Sequence, residues 1–251
     1  MAPGYNHGMF FEILAQQSGH PGVAGIPMVY IVIIVGSMLA SMLVSGTLKR
    51  RFNEYSNIPI RMTGAQIAEA MLRQSGINDV RVICTPGKLT DHYNPMDKTV
   101  NLSEPVYHMN SVAAAAVAAH ECGHAIQHKQ AYAWLTFRSK MVPAVQLAST
   151  LLNYVMIASI AGMFLLGPAT IWIFVVLFAI TTTFAVITLP VEFDASKRAL
   201  VWLESSGLAA SMEHSKAKNA LFWAAMTYVV AAIGSIAQLA YFLMIALSRR
   251  N

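Results

Sequence analysis

Long uncharged, apolar stretches alternate with polar ones along this chain, and their lengths give the first expectation about its structure. No Asp, Glu, Lys, Arg or His occurs in residues 27–48, 141–189 or 220–248. The middle stretch is divided at Gly167-Pro168, a pair that typically marks a break between helices. Since about 20 apolar residues cross the hydrocarbon core as a helix, the pattern predicts one transmembrane helix in 27–48, two in 141–189 and one in 220–248.

The remaining large segment, 49–140, carries the signals of a small domain that folds in water. Thr63 and Gln66 match the capping box and predict a helix through Arg73. Three more elements are predicted from β-branched alternation, turn residues and an Ala-rich run: strands at 79–85 and 98–102, and a helix that begins after Asn110 or Ser111 and ends near His128. We therefore expect a mostly α-helical membrane protein with about four transmembrane helices and a small α+β domain.

Composition and charge agree with this architecture and place its loops. Only 12% of the residues are charged and 56% are hydrophobic, which is too little charge to cover a water-facing surface. The net charge of +5 reflects basic residues that flank the predicted spans, so nucleic-acid binding is not expected. The positive-inside rule makes residues 1–26 extracytoplasmic and the segments 49–140 and 190–219 cytosolic, although Arg249 and Arg250 then lie outside.

The segment that carries chemistry is His120-Glu121-Cys122-Gly123-His124. Two histidines four residues apart lie on one face of a helix and can direct two nitrogens at a single ion. Zinc in catalytic sites takes three protein ligands and leaves one position open for water. The spacing predicts a zinc peptidase in which an activated water attacks a peptide carbonyl and Glu121 is the general base. The alternative interpretation is a helix with two polar side chains that face solvent.

The third zinc ligand must come from another part of the cytosolic segments. His128 lies about 12 Å along the helix from His120, too far for both to bind one ion, and is interpreted as a solvated or supporting histidine. The segment 190–219 returns to the same side of the membrane as the motif and begins with acidic residues. In order of preference, the candidates there are Glu192, Asp194, Glu204 and His214. A carboxylate that only stabilises a helix N-terminus is the alternative.

Several segments together resemble the YugP-type neutral zinc metallopeptidases, which are membrane-bound zincins with the HExxH motif. The resembling segments are 120–124, 91–95, 100–103 and 189–196. The resemblance covers nearly all of the chain from about residue 27 onward. It implies a zincin-like cytosolic domain, zinc-dependent peptide hydrolysis in a bacterial cytoplasmic membrane, and Glu192 as the third ligand. Some relatives have an Asp four residues after this Glu; here that position is Ser196, so Asp194 or Ser196 is expected to support the ligands differently.

Other parts of the reaction stay open at the level of the sequence. The residues that can donate a hydrogen bond to the oxyanion are His214, His92, Tyr107 and Tyr93. The run 89–102 is either a sheet edge that binds substrate as an added strand or an ordinary surface hairpin. The expected partners are a peptide or membrane-protein substrate and membrane lipid. Alternative functions are a catalytically inactive membrane scaffold, a zinc-binding protein or a metal transporter, the last opposed by spans without ionisable residues.

Overall fold

The computed structural model of the protein describes residues 28–160, 168–208 and 211–248. In this part of the chain the backbone forms seven helices and three strands. The helices are α1 (Met28–Ser56), α2 (Gly64–Gln74), α3 (Glu104–His108), α4 (Val112–Lys129), α5 (Ala133–Ile160), α6 (Pro168–Ser205) and α7 (Ser211–Ser248). The strands are β1 (Arg81–Thr85), β2 (His92–Asn94) and β3 (Thr99–Ser103).

Four of these helices, α1, α5, α6 and α7, are long and apolar enough to cross a membrane. This confirms the predicted number of spans and the fold class. Helix α1 packs on α7, α7 on α6, and α6 on α5, so the four form a row with α1 and α5 at its ends. Helix α6 runs without interruption through Pro190 to Ser205, and the segment 190–219 therefore begins inside a helix. The predicted extracytoplasmic segment 1–26 lies outside the described residues.

The segment between α1 and α5 folds into the small α+β domain. Helix α2 begins where the sequence predicted, with a complete capping box between Thr63 and Gln66. The three-stranded sheet has the order β1-β3-β2, with β1 parallel and β2 antiparallel to the central strand β3. The two predicted strands form with small shifts, since β1 begins only at Arg81 and β3 ends at Ser103.

Polar side chains hold the hairpin of β2 and β3 together. The carboxylate of Asp91 accepts hydrogen bonds from the backbone nitrogen and the hydroxyl of Ser103, at 2.7 and 3.0 Å. The side chain of Asn94 accepts hydrogen bonds from backbone nitrogens of the turn that follows it. The hydroxyl of Tyr93 lies 2.8 Å from Nδ1 of His128 on α4. These contacts fix β2 as an edge strand beside the second half of α4.

Helix α4 passes through the middle of the protein and connects the domain to the membrane-spanning helices. Ser111 caps it, with the side-chain oxygen 3.2 Å from the backbone nitrogen of Ala114. The Ala-rich first half, residues 112–119, is almost entirely buried and packs on α2, α6 and α7. Small side chains let these helices pack closely against α4. The second half, which bears residues 120–124, is thereby held against α6.

Candidate metal site

Two helices bring three potential metal ligands together. His120 and His124 lie one turn apart on α4, and Glu192 faces them from α6. The Oε2 atom of Glu192 is 3.2 Å from Nε2 of His120 and 3.7 Å from Nε2 of His124. One ligand atom from each residue lies within 4.8 Å of the other two. The acidic member of the group is thus Glu192, the candidate that was favoured over Asp194.

Gly123 allows α4 and α6 to approach each other closely at this point. A Cβ atom added to Gly123 would lie 2.6 Å from the backbone oxygen of Ala195 and 3.0 Å from its Cα atom. These separations are too short for non-bonded atoms, so no side chain fits between the helices here. The glycine of the motif therefore permits the short distance between the two histidines and Glu192.

Each histidine is oriented by a polar partner at its other ring nitrogen. The Nδ1 atom of His120 is 3.1 Å from the hydroxyl oxygen of Ser196. The Nδ1 atom of His124 donates a hydrogen bond of 3.0 Å to Oε1 of Gln127. Such partners fix the tautomer and the ring orientation of metal-binding histidines. Ser196 was one of the two supporting residues considered from the sequence, whereas Gln127 was not considered.

Asp194 lies beside the three-residue group and contacts it indirectly. Its Oδ2 atom accepts hydrogen bonds from Nε2 of Gln127 at 2.8 Å and from Nε of Arg198 at 2.5 Å. The same Nε2 atom also donates to the backbone oxygen of Val191 at 2.8 Å. Asp194 thus helps to hold Gln127, which in turn orients His124.

The second carboxylate oxygen of Glu192 faces a cation. Its Oε1 atom lies 3.4 Å from Nη1 of Arg138, near the start of α5. The guanidinium of Arg138 also lies over the ring of Phe184, 6.0 Å from the centroid. The hydroxyl of Tyr228, on α7, lies in the same polar surroundings beside Glu192 and Arg138. Arg138 is one of the basic residues that flank the predicted spans. No local motif marks either Arg138 or Tyr228, so the sequence did not indicate their place beside Glu192.

Buried carboxylates beside His120 and His124 favour the binding of a cation at this site. Glu121 is 8% exposed and Glu192 only 2%. Burial lowers the pKa of His124, but the neighbouring carboxylates of Glu192 and Glu121 outweigh burial and raise it. The Oε2 atom of Glu192 is buried without a hydrogen-bond partner among the described residues. An unpaired carboxylate oxygen that faces two imidazole nitrogens is a donor set suited to catalytic zinc, so the residues fit this metal.

His214 and Glu204 lie away from the three-residue group. His214 places Nε2 at 3.3 Å from the backbone oxygen of Leu200, about 12 Å farther along α6 than Glu192. Glu204 is exposed near the end of α6. His92 places Nδ1 at 2.7 Å from the backbone oxygen of Thr90. The structure therefore gives no support to His214 or Glu204 as a ligand, whereas an oxyanion donor among His92, Tyr93 and Tyr107 stays a prediction.

Fold and site together define a class, that of membrane-spanning proteins with a His-His-Glu group suited to zinc. The family model described as "Putative neutral zinc metallopeptidase" matches residues 30–247, and the chain belongs to this family. The chain is 38% identical over 226 residues to the "Putative membrane protease YugP" of Bacillus subtilis (strain 168). The aligned region covers 89% of this chain and 99% of that protein. No solved structure matches the chain significantly. The resemblance seen in the sequence and the expectation of zinc are confirmed.

Proposed function

We propose that the protein is a membrane-anchored, zinc-dependent endopeptidase with His120, His124 and Glu192 as zinc ligands and Glu121 as general base. The observation that carries the proposal is the convergence of two imidazole nitrogens on a buried, unpaired carboxylate oxygen. The family and the description of the relative support peptidase activity. The basic residues that flank the spans support a location in a bacterial cytoplasmic membrane with the site on the cytosolic side.

The side chain of Glu121 is the group that moves protons in this proposal. It follows His120 directly and is turned about 100° around α4 from it, so it does not share the face that binds the metal. Zinc, when bound by the three ligands, lowers the pKa of a water to about 7 and polarises the substrate carbonyl. Glu121 accepts a proton from the attacking water and then donates it to the amine nitrogen of the leaving group.

The edge strand β2 supports the binding of an extended substrate. β2 stands at one end of the sheet order β1-β3-β2, and an edge strand offers backbone groups to which another chain can pair. The contact between Tyr93 and His128 places β2 along the half of α4 that bears the motif. A peptide paired to β2 therefore lies beside the helix that carries His120 and His124.

Metal content tests the ligand assignment. We expect the detergent-purified wild type to contain about one zinc per chain. Glu192→Gln should lose the metal, because an amide is a far poorer zinc ligand than a carboxylate. Asp194→Asn is the matched control and should retain it, since Asp194 contacts the ligands only through Gln127. Elemental analysis gives the ratio. Retention in Glu192→Gln contradicts the assignment, and a wild type without zinc after zinc addition indicates the inactive scaffold instead.

Cleavage tests the role of Glu121. Glu121→Gln should retain zinc and lose about 10²–10⁴-fold in cleavage rate, the usual contribution of a general base. The measurement is the release of fragments from a panel of unfolded and membrane-embedded proteins in proteoliposomes. Glu69→Gln, at an exposed position of α2, is the control and should cleave like the wild type. Equal rates for the wild type and Glu121→Gln would rule out the proposed mechanism.

A further inference from the structure

A cleft lined by both apolar and polar side chains lies within the membrane-spanning part of the protein, apart from the zinc site. It has a volume of about 580 Å³ and is lined by all four spanning helices. Helices α1 and α5 form its two walls, because they stand at the ends of the row, and α6 and α7 form its floor. On both walls the lining residues return once per helical turn, singly or as adjacent pairs, so each helix presents one face to the cleft. These residues are Tyr30, Ile34, Ser37, Met38 and Ser41 on α1 and Ser149, Leu152, Asn153 and Met156 on α5.

Most of the lining surface is apolar, but several polar side chains also face the cleft in the most apolar part of the bilayer. Ser37 and Ser41 lie in the central part of the first span, and Asn153 and Gln238 in the central parts of theirs. In the described part of the chain, the amides of Asn153 and Gln238 make no hydrogen bond, and neither belongs to the residues with further contacts. Unpaired polar groups in hydrocarbon are costly. These two amides are therefore suited to a partner from outside the chain.

The cleft is closed at the end that lies farther from the zinc site. The hydroxyl of Tyr30 on α1 is 4.0 Å from the sulfur of Met156 on α5, which joins the two walls. Behind this contact, the ring of Phe242 meets that of Tyr30 edge-on and stacks on that of Phe174, and the three rings pack between α1, α6 and α7. An occupant therefore enters from the side, between α1 and α5, and continues only toward the other end.

Two helices, α5 and α6, lead from the cleft to the zinc site. Ser149 follows Arg138 on α5 by eleven residues, and Thr181 precedes Glu192 on α6 by the same number. Eleven residues of helix rise about 16 Å. An extended chain crosses that distance with about five residues.

We propose that this cleft binds a transmembrane helix of a membrane-protein substrate and thereby presents the segment just outside that helix to the zinc site. The proposal rests on the proposed peptidase function and names its substrate class. An occupant at this depth must reside in the bilayer. Acyl chains of lipids cannot pair with the amides of Asn153 and Gln238, whereas a helix with Asn, Ser or Thr on one face can. The helical walls also match one face of a single helix.

The binding of model peptides tests this proposal and does not require that the protein cleave them. Two fluorescent peptides of about 20 Leu and Ala residues each, one with an Asn and a Ser on one face at its centre and one without, are titrated into nanodiscs that contain the Glu121→Gln variant. We expect the polar peptide to bind about three- to tenfold more tightly, the range expected for one interhelical hydrogen bond in a membrane. Adding Asn153→Leu should remove this difference. Ser41→Phe, at an exposed position, should fill the cleft and weaken binding of both peptides.

Thr150→Leu is the matched control on α5, because Thr150 points away from the cleft and its hydroxyl already donates to the backbone oxygen of Gln146 at 2.9 Å. It should leave binding unchanged. Equal binding of the two peptides, or insensitivity to both cleft variants, overturns the proposal. Cleft variants that only abolish self-association of the chain also overturn it and identify the cleft as a contact between copies. Since this binding requires no cleavage, failure here is distinct from failure of the zinc and Glu121 tests.

Discussion

At the scale of single residues, Gln127 is the side chain that joins the two halves of the candidate metal site. It is fully buried and makes three side-chain hydrogen bonds, one to His124 on its own helix and two to groups of α6. A buried amide with all these partners holds the imidazole in one orientation and also ties α4 to α6. Its loss would leave several buried polar groups unpaired at once.

Replacing Gln127 by Leu should therefore weaken zinc binding and the fold together. We expect the zinc affinity to fall about 10–100-fold, the usual effect of losing a group that orients a metal ligand. The free energy of unfolding should fall by about 1–3 kcal/mol for each buried polar group left unpaired. Competition with a chelating dye and thermal unfolding in detergent measure the two effects. Gln74→Leu, at an exposed residue bonded to Trp202, is the control; equal zinc affinities for both variants would contradict the role of Gln127.

At the scale of secondary-structure elements, the site depends on the crossing of α4 and α6. Neither helix holds all three ligands, and their separation is set where Gly123 meets the backbone of Ala195. The contact involves backbone atoms, so no change of side chain at residue 195 can relieve it. Any side chain at residue 123 must separate the helices and draw Glu192 away from the histidines.

Gly123→Ala is expected to lower zinc content and stability, even though the helix propensity of alanine is about 1 kcal/mol more favourable than that of glycine. Overpacking of this kind typically costs about 1–3 kcal/mol. Elemental analysis and thermal unfolding give the two readouts. Gly46→Ala in α1 is the control, since an added Cβ atom there meets nothing within 4 Å. If Gly123→Ala bound zinc as the control does, the close approach of the helices would not limit the site.

At the scale of the whole molecule, the small domain lies at one end of the four spanning helices, and therefore on one side of the membrane. Helices α1, α5, α6 and α7 all extend beyond their apolar stretches at the end that carries the domain. The zinc site lies at this same end, between α4 and the extension of α6. The side of the membrane on which the domain lies therefore decides which proteins can reach the site.

The two cysteines offer a test of this orientation in the native sequence. Cys84 is exposed on the domain, whereas Cys122 is fully buried, and burial raises the pKa of the Cys122 thiol. A membrane-impermeant maleimide should therefore label Cys84 alone. We expect labelling in inverted membrane vesicles and none in intact spheroplasts, because the positive-inside rule places the domain in the cytosol. Cys84→Ser should abolish the signal; labelling in spheroplasts would place the domain outside.

Features that depend on short stretches of the chain followed from the sequence by itself. The four spans are evident because crossing a bilayer requires about 20 consecutive apolar residues. The cap of α2 at Thr63 followed from a side chain that bonds a backbone group three residues away, and the start of α4 was limited in the same way to Asn110 or Ser111. The relation of His120 to His124 followed from the period of the helix. Family resemblance, together with the position of Glu192 after the third span, extended this reasoning to the third residue of the group.

Only the tertiary structure decided which distant side chains complete the site. Gln127 is one polar residue on a helix with several, and its importance comes from the buried groups of α6 that it meets. Arg138 and Tyr228 lie beside Glu192 because α5 and α7 happen to flank α6, and no local pattern encodes that arrangement. The same holds for the cleft, whose walls come from helices at opposite ends of the row. Packing between elements far apart in sequence sets these contacts, and periodicity along one element cannot reveal them.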